Sequence, residues 1–264
     1  MSADAAIFLP LGAGRYQPTE LARGPWDPRA QHGGAPAGLL GGALEAVPSE
    51  VPMGVVRFTC EFIRPVPLTP LRVETRIARP GGRVQLVEAL LHADDVVVCR
   101  AVALRVRTAA VSGQGAIDPA PEVPGPDASE PVRMALFEDG PAMFARDGME
   151  VRMARGLFDE VGPAVAWFRL RAPLVAGEPV SPLQRLLSAA DFGNGVSAAV
   201  PWDSHLFINP DLTVYVERLP DGEWVGLDAT TRIGPAGAGL AESVLFDARG
   251  RLGRGLQGLY VAER

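Results

Sequence analysis

Two separated stretches of this chain match in alternation, length and ending, and that repeat constrains its fold more than any other feature. Arg57-Phe-Thr-Cys-Glu-Phe-Ile-Arg-Pro-Val-Pro67 lies against Asp211-Leu-Thr-Val-Tyr-Val-Glu-Arg-Leu-Pro220, and Cys99–Val106 lies against Gly253–Val261. The elements around them recur in one order, a helix followed by an antiparallel meander. Internal self-similarity of this kind marks copies of one supersecondary unit packed into a continuous core. The expectation is an α+β chain of two fused units, each a long helix wrapped by an antiparallel sheet. With 264 residues, 47% of them hydrophobic and 21% charged, there is length and apolar content for both cores.

The sharpest change of composition precedes the second copy. Pro119, Pro121, Pro124, Pro126 and Pro131 fall where no apolar period survives, so residues 110–131 read as a linker between units at 1–109 and 132–264. In the first unit Pro36–Val47 reads as a helix whose Gly38, Gly41 and Gly42 weaken intrinsic propensity and allow close backbone approach. Val55–Arg64 alternates as a half-buried strand, and Leu71–Ile77, Val84–Leu91 and Val96–Val106 complete a meander that turns at Gly81-Gly82. In the second unit Glu150–Arg155 and Ala166–Arg171 read as strands. Ser181-Pro182 then opens a helix with serine as cap and proline at its first position, and its apolar stripe is Leu183, Leu186, Leu187 and Ala190. Ile208–Arg218, Trp224–Arg232, Gly239–Phe246 and Arg251–Val261 follow as strands.

The formal net charge of −6 and the absence of a basic block argue against a nucleic-acid partner. Cys60 and Cys99 sit inside strand-like apolar runs, as core residues of a reducing compartment do. No signal-like start and no membrane-length apolar run occur, so a cytoplasmic protein with no membrane partner is expected. His92 and His205 lie near turns and form no ligand cluster, and neither a metal nor a cofactor is expected.

Some residues break the packing pattern. Asp191 continues the stripe of Leu183 and Leu187, where a carboxylate costs several kcal/mol unless hydrogen bonds compensate; alternatively the helix has ended and Asp191 caps the following turn. Asn209 and Asp211, two apart, share a strand face, or Asn209 serves a turn with Pro210. Gln257 shares a face with Leu259 and Val261 and needs partners there. The matching first-unit positions are Glu45, Val55 and Ala103, so the Asp/Asn/Gln set is complete only in the second unit. Gly33 and Gly34 precede a helix, where backbone N–H groups face outward as oxyanion donors, or they simply permit a tight turn. With no GxSxG elbow, and no histidine partner evident for either cysteine, a covalent route is disfavoured.

The stretches His32–Leu40, Ala189–Gly195, Phe207–Pro220, Gly222–Thr231 and Gly250–Val261 together resemble the double-hotdog acyl-CoA thioesterases, the bacterial thioesterase II group. The resemblance covers nearly the whole chain outside the linker. It implies a double-hotdog fold and hydrolysis of an acyl-CoA to coenzyme A and a carboxylate. In that group an Asp, a Thr or Ser, and a Gln hold the attacking water. Asp191 and Gln257 match, while Asn209 stands in place of the hydroxyl. Gly33, Gly34 and His32 fall on the substrate and oxyanion side, with Arg64, Arg218 and Arg254 as candidates for the coenzyme phosphates. The acyl tail is expected between helix and sheet, no cofactor is implied, and the assembly is a monomer or homodimer. Two other readings stay open: a non-catalytic acyl-thioester or lipid-binding protein, which Asn209 favours, and a hydratase or dehydratase, which His32 permits.

Overall fold

The computed structural model describes residues 6–109, 117–132, 134 and 139–264. The first half runs β1 (Phe8–Gly12), β2 (Arg15–Pro18), α1 (Gly34–Glu45), β3 (Met53–Phe62), β4 (Leu71–Arg79), β5 (Val84–Ala93) and β6 (Val96–Arg107). The second runs β7 (Glu130–Pro131), β8 (Met149–Arg155), β9 (Ala164–Leu170), α2 (Pro182–Ala190), α3 (Gly193–Val196), β10 (His205–Ile208), β11 (Asp211–Val216), β12 (Val225–Ile233), β13 (Ala238–Asp247) and β14 (Gly250–Glu263).

Among the described residues these strands form one 14-stranded sheet that passes through both halves in the order β1-β2-β4-β5-β6-β3-β11-β14-β13-β12-β9-β8-β7, with β10 on β14. The join is the antiparallel pair β3 and β11, in which Thr59 lies opposite Thr213. Those two threonines hold the same position in the sequence repeat, so a local two-fold axis runs through the join. Pairing the two strands satisfies edges that each copy would otherwise leave open.

The helices α1 and α2 pack side by side under the sheet. Gly38, Gly41 and Gly42 form the contact face of α1, and a Cβ at any of them would overlap Ser188, Leu187 or Gln184 of α2. The small residues seen in the sequence are therefore what lets two backbones meet across the local axis. Helix α2 starts at a capping box: Gln184 N–H donates to Ser181 Oγ at 3.2 Å and Ser181 N–H donates to Gln184 Oε1 at 2.9 Å. Its stripe of Leu183, Leu186, Leu187 and Ala190 is buried as the period requires.

The structure departs from the sequence reading in three places. The hairpin β1–β2 was not expected; it adds to β4 and ties the N-terminal segment to the second half through Phe8 N–H donating to Leu174 O at 2.9 Å. The expected strand Ile208–Arg218 is broken, because β10 ends at Ile208 and β11 begins at Asp211. Pro210 has no N–H for the ladder, and the chain kinks there. The described part of the expected linker packs on the second half: Trp167 Nε1 donates to Pro124 O at 2.9 Å and β7 pairs with β8. Residues 110–116 of that linker lie outside the described residues.

Candidate active site

Asp191 follows the last residue of α2 and is the C-cap of that helix, with its own backbone still helical. The helix has ended there, yet the side chain is 3% exposed and lines a cavity of about 300 Å³. A carboxylate this buried needs donors, and three side chains from different parts of the chain meet it. Asn209 Nδ2 donates to Oδ1 at 2.8 Å, and Gln257 Nε2 donates to the same oxygen at 3.2 Å. His32 Nδ1 lies 3.1 Å from Oδ2.

The break between β10 and β11 explains how Asn209 reaches this position. Lying in the kink rather than in a strand, it does not share a strand face with Asp211 as expected. Its Nδ2 also donates to Asp211 O at 3.1 Å, so the turn and the site use one amide. Asp211 instead accepts from Gly258 N–H at 2.7 Å. Burial, with Asp191 nearby, raises the Asp211 carboxyl above the ordinary aspartate value, against the opposing Gly258 hydrogen bond.

Gln257 is 2% exposed and lies behind Asp191, not among the residues lining the cavity. Its Nε2 also donates to Asp191 O at 3.0 Å, and its Oε1 accepts from Asn194 N–H at 3.0 Å. Every donor and acceptor of the amide is thus used to fix the end of α2 against β14.

Across the cavity wall stands the start of α1. Gly33 has ordinary right-handed helical angles, φ −59° and ψ −25°, so glycine is needed for space and not for backbone freedom. A Cβ there would lie 2.7 Å from Asp191 Oδ2 and 2.8 Å from Phe62 Cζ. Of the backbone donors expected here, Gly34 N–H points to His32 Nδ1 at 3.1 Å. The Gly33 N–H has no acceptor among the described residues. The His32 ring stacks on Phe192, with centroids 4.4 Å apart.

The cavity was only partly legible in advance. Trp26, Trp202, Phe62 and Phe192 line it, yet in sequence such aromatics look like core or loop residues. Trp26 and Trp202 stack with centroids 5.1 Å apart and 16° between planes. The space lies over the ends of the two helices, bounded by the loops before α1, after β3 and around β10. Its lining joins those loops to the first residue after α2, Asp191, and to Phe192 and Asn194 beyond it. Of the three arginines considered, Arg64 lines the cavity. Arg218 is tied to Asp247, and Arg254 pairs with Glu242. Both cysteines are free and buried, and the adjoining Cys99 together with burial holds the Cys60 thiol well above its ordinary value, which makes it a poor nucleophile.

In the first half the end of α1 is held by an arginine two residues beyond Ala103, the counterpart of Gln257. Arg105 of β6 is buried and donates through Nη1 to Leu44 O at 3.2 Å and Val47 O at 2.7 Å, with Nε to Gln85 Oε1 at 3.0 Å. A last-strand side chain thus grips the end of the helix in both halves. In the second half it leaves a carboxylate at a cavity; in the first it puts a guanidinium against carbonyls.

Comparison with solved structures finds the same architecture over almost the whole chain. A protein described as a thioesterase II from Thermobifida fusca matches with TM-score 0.73 and 20% identity, covering 99% of this chain and 97% of that one. A hot dog-fold protein of unknown function from Alicyclobacillus acidocaldarius matches with TM-score 0.74 and 20% identity, covering 99% and 98%. The acyl-CoA thioesterase II TesB2 of Mycobacterium marinum matches with TM-score 0.64 and 16% identity, covering 97% and 95%. At these identities the likeness is one of fold, the double hotdog. Comparison with curated proteins gives no match. The sequence itself matches two family models, the acyl-CoA thioesterase N-terminal domain over residues 22–106 and the acyl-CoA thioesterase C-terminal domain over residues 119–261. With both halves accounted for in order, the chain belongs to the acyl-CoA thioesterase family, a family of thioester hydrolases.

Proposed function

We propose that this protein hydrolyses an acyl-CoA by direct attack of water on the thioester carbonyl, with Asp191 as the base. The observation that carries this reading is the asymmetry of the carboxylate. Asn209 and Gln257 both donate to Oδ1, which anchors the group, while Oδ2 lies beside Gly33 and His32, two residues that line the cavity. Oδ2 accepts a proton from the water as its oxygen bonds to the carbonyl carbon. Asn209 and Gln257 set the direction of the carboxylate and so of the water. Gln257 acts through Asp191, since its own amide is fully used within the protein. Asn209 supplies an N–H where the family pattern has a hydroxyl, and a donor to Oδ1 is the part of that role an amide can perform.

Negative charge developing on the carbonyl oxygen needs donors already in place. The Gly33 N–H at the positive end of the twelve-residue α1 meets that need, with Gly34 and His32 beside it. Collapse then reforms the carbonyl and breaks the C–S bond, releasing coenzyme A and a carboxylic acid. Arg64 at the cavity wall is suited to a coenzyme phosphate.

A panel of acyl-CoAs assayed by release of free thiol tests the reading. Asp191→Asn is expected to lose on the order of 10²- to 10⁴-fold in kcat, the range of a general base, and Gln257→Ala to lose less while folding normally. Turnover by Asp191→Asn equal to the parent's sinks the assignment. A second reading, hydration of an unsaturated acyl thioester, is favoured by the 3.1 Å approach of His32 to Asp191. Loss of the conjugated thioester absorbance without thiol release would identify it.

A further inference from the structure

Beside the base stands a group that the hydrolytic route gives no part in moving protons. His32 comes from the first half, Asp191 from the second, and Nδ1 stands 3.1 Å from Oδ2. The same Nδ1 stands 3.1 Å from Gly34 N. An imidazole nitrogen has one in-plane site: it accepts a hydrogen bond or it carries a proton and donates. Nδ1 therefore serves Gly34 N–H as an acceptor or Asp191 as a donor, and exchanging the two requires only that a proton cross the gap. The ring is held for this by its stack on Phe192, and it lines the cavity.

Resting on the hydrolytic reading, we propose that His32 is a further catalytic residue, carrying the proton that Asp191 takes from water to the departing thiolate. Before reaction Nδ1 accepts from Gly34 N–H and the ring proton is on Nε2. As the water oxygen bonds to the carbonyl carbon, one water proton passes to Asp191 Oδ2 and the carbonyl π pair moves onto oxygen. That pair then returns, the C–S bond breaks and its electrons leave with sulfur. Sulfur takes the proton from Nε2 while Nδ1 takes the one on Oδ2, so no charge is left on the pair. Gly34 N–H, displaced from Nδ1, joins Gly33 N–H as a free donor at the helix start. The ring recovers by gaining a solvent proton at Nε2 and losing the Nδ1 proton through Asp191.

A proton carrier for the leaving group matters in proportion to how poor that group is, whereas a merely structural histidine matters equally for all. The test compares one acyl group on two thiols: coenzyme A, an alkyl thiol, and 2-nitro-5-thiobenzoate, an aryl thiol whose anion leaves unaided. His32→Asn places an amide oxygen where Nδ1 accepts from Gly34 yet cannot relay a proton, and His32→Gln is the second variant should the first fold poorly. The expected result is a kcat loss on the order of 10²-fold with the coenzyme A ester and little loss with the aryl ester. Equal losses on both esters, or no loss on either, overturn the proposal. Asp191→Asn, run alongside, separates the readings: if it is inactive on both esters while His32→Asn shows equal losses, only the proton-carrier role falls, and if it is fully active the hydrolytic reading falls too.

Discussion

At the scale of single residues, the site is built by placing charge where it is expensive and then compensating part of it. Asp191 has two amide donors, Asn209 and Gln257, on Oδ1. Asp211, half-buried nearby, has one backbone donor, and burial keeps its carboxyl above the ordinary value. The folded protein therefore holds the Asp211 proton to higher pH than the unfolded chain does. Stability from this group is fully present below the ordinary aspartate value near pH 4 and is lost as pH climbs through the raised folded value. Asp211→Asn retains an oxygen for Gly258 N–H and removes the ionisation. It is expected to melt higher than the parent at neutral pH, with the advantage shrinking to nothing as pH falls below about 4. Paired thermal melts between pH 3 and 8 check this, and a constant difference at all pH values would refute it.

At the scale of elements, α1 shows what a sequence does and does not reveal. Its glycines announced close packing, and the partner is α2. The alternation of β3, β11 and β13 was readable, because alternate residues along them are buried. The hairpin β1–β2 was not readable: Phe8–Gly12 buries only its first residue, so no period-two pattern exists to find. Of the site, Asp191 and Gln257 stood out as polar residues on apolar faces. The reach of His32 across the two halves depends on how the copies dock, which no local pattern encodes. The helix contact also gives a prediction in which two effects oppose. Gly38→Ala gains about 1 kcal/mol of helix propensity, but its Cβ overlaps the buried Ser188 hydroxyl, which has no hydrogen-bond partner among the described residues, and overpacking costs about 1–3 kcal/mol. The single variant is expected to be less stable in urea than the parent, and Gly38→Ala with Ser188→Ala to recover the loss. A Gly38→Ala protein more stable than the parent would show that the helices part freely.

At the scale of the whole molecule, the local two-fold makes the halves alike in backbone and unlike in chemistry. Thr59 faces Thr213 on the axis, and each half closes the end of its helix with a side chain from its last strand. A symmetric ancestor of this arrangement would carry two sites. Here the first-half place holds Arg105 on the Leu44 and Val47 carbonyls, with Glu45, Val55 and Ala103 at the positions matching the second-half set. The guanidinium's contacts are all to neutral oxygens, those of Leu44, Val47 and the Gln85 side chain, and each that stays buried without a donor if it moves costs about 1–3 kcal/mol. That cost opposes any opening of the structure at the end of α1. The cavity beside Asp191 is lined from both halves, with the α1 start from one and Asp191 from the other. A thioether analogue of an acyl-CoA, which cannot be hydrolysed, is expected to titrate to one equivalent per chain by calorimetry. Glu45→Gln should leave both that number and the turnover unchanged, since Glu45 is exposed at the end of α1, away from the cavity lining, whereas Asp191→Asn should lose turnover as above while binding persists. Two equivalents per chain would mean that the Arg105 contacts yield to ligand and that the first copy has kept a binding function.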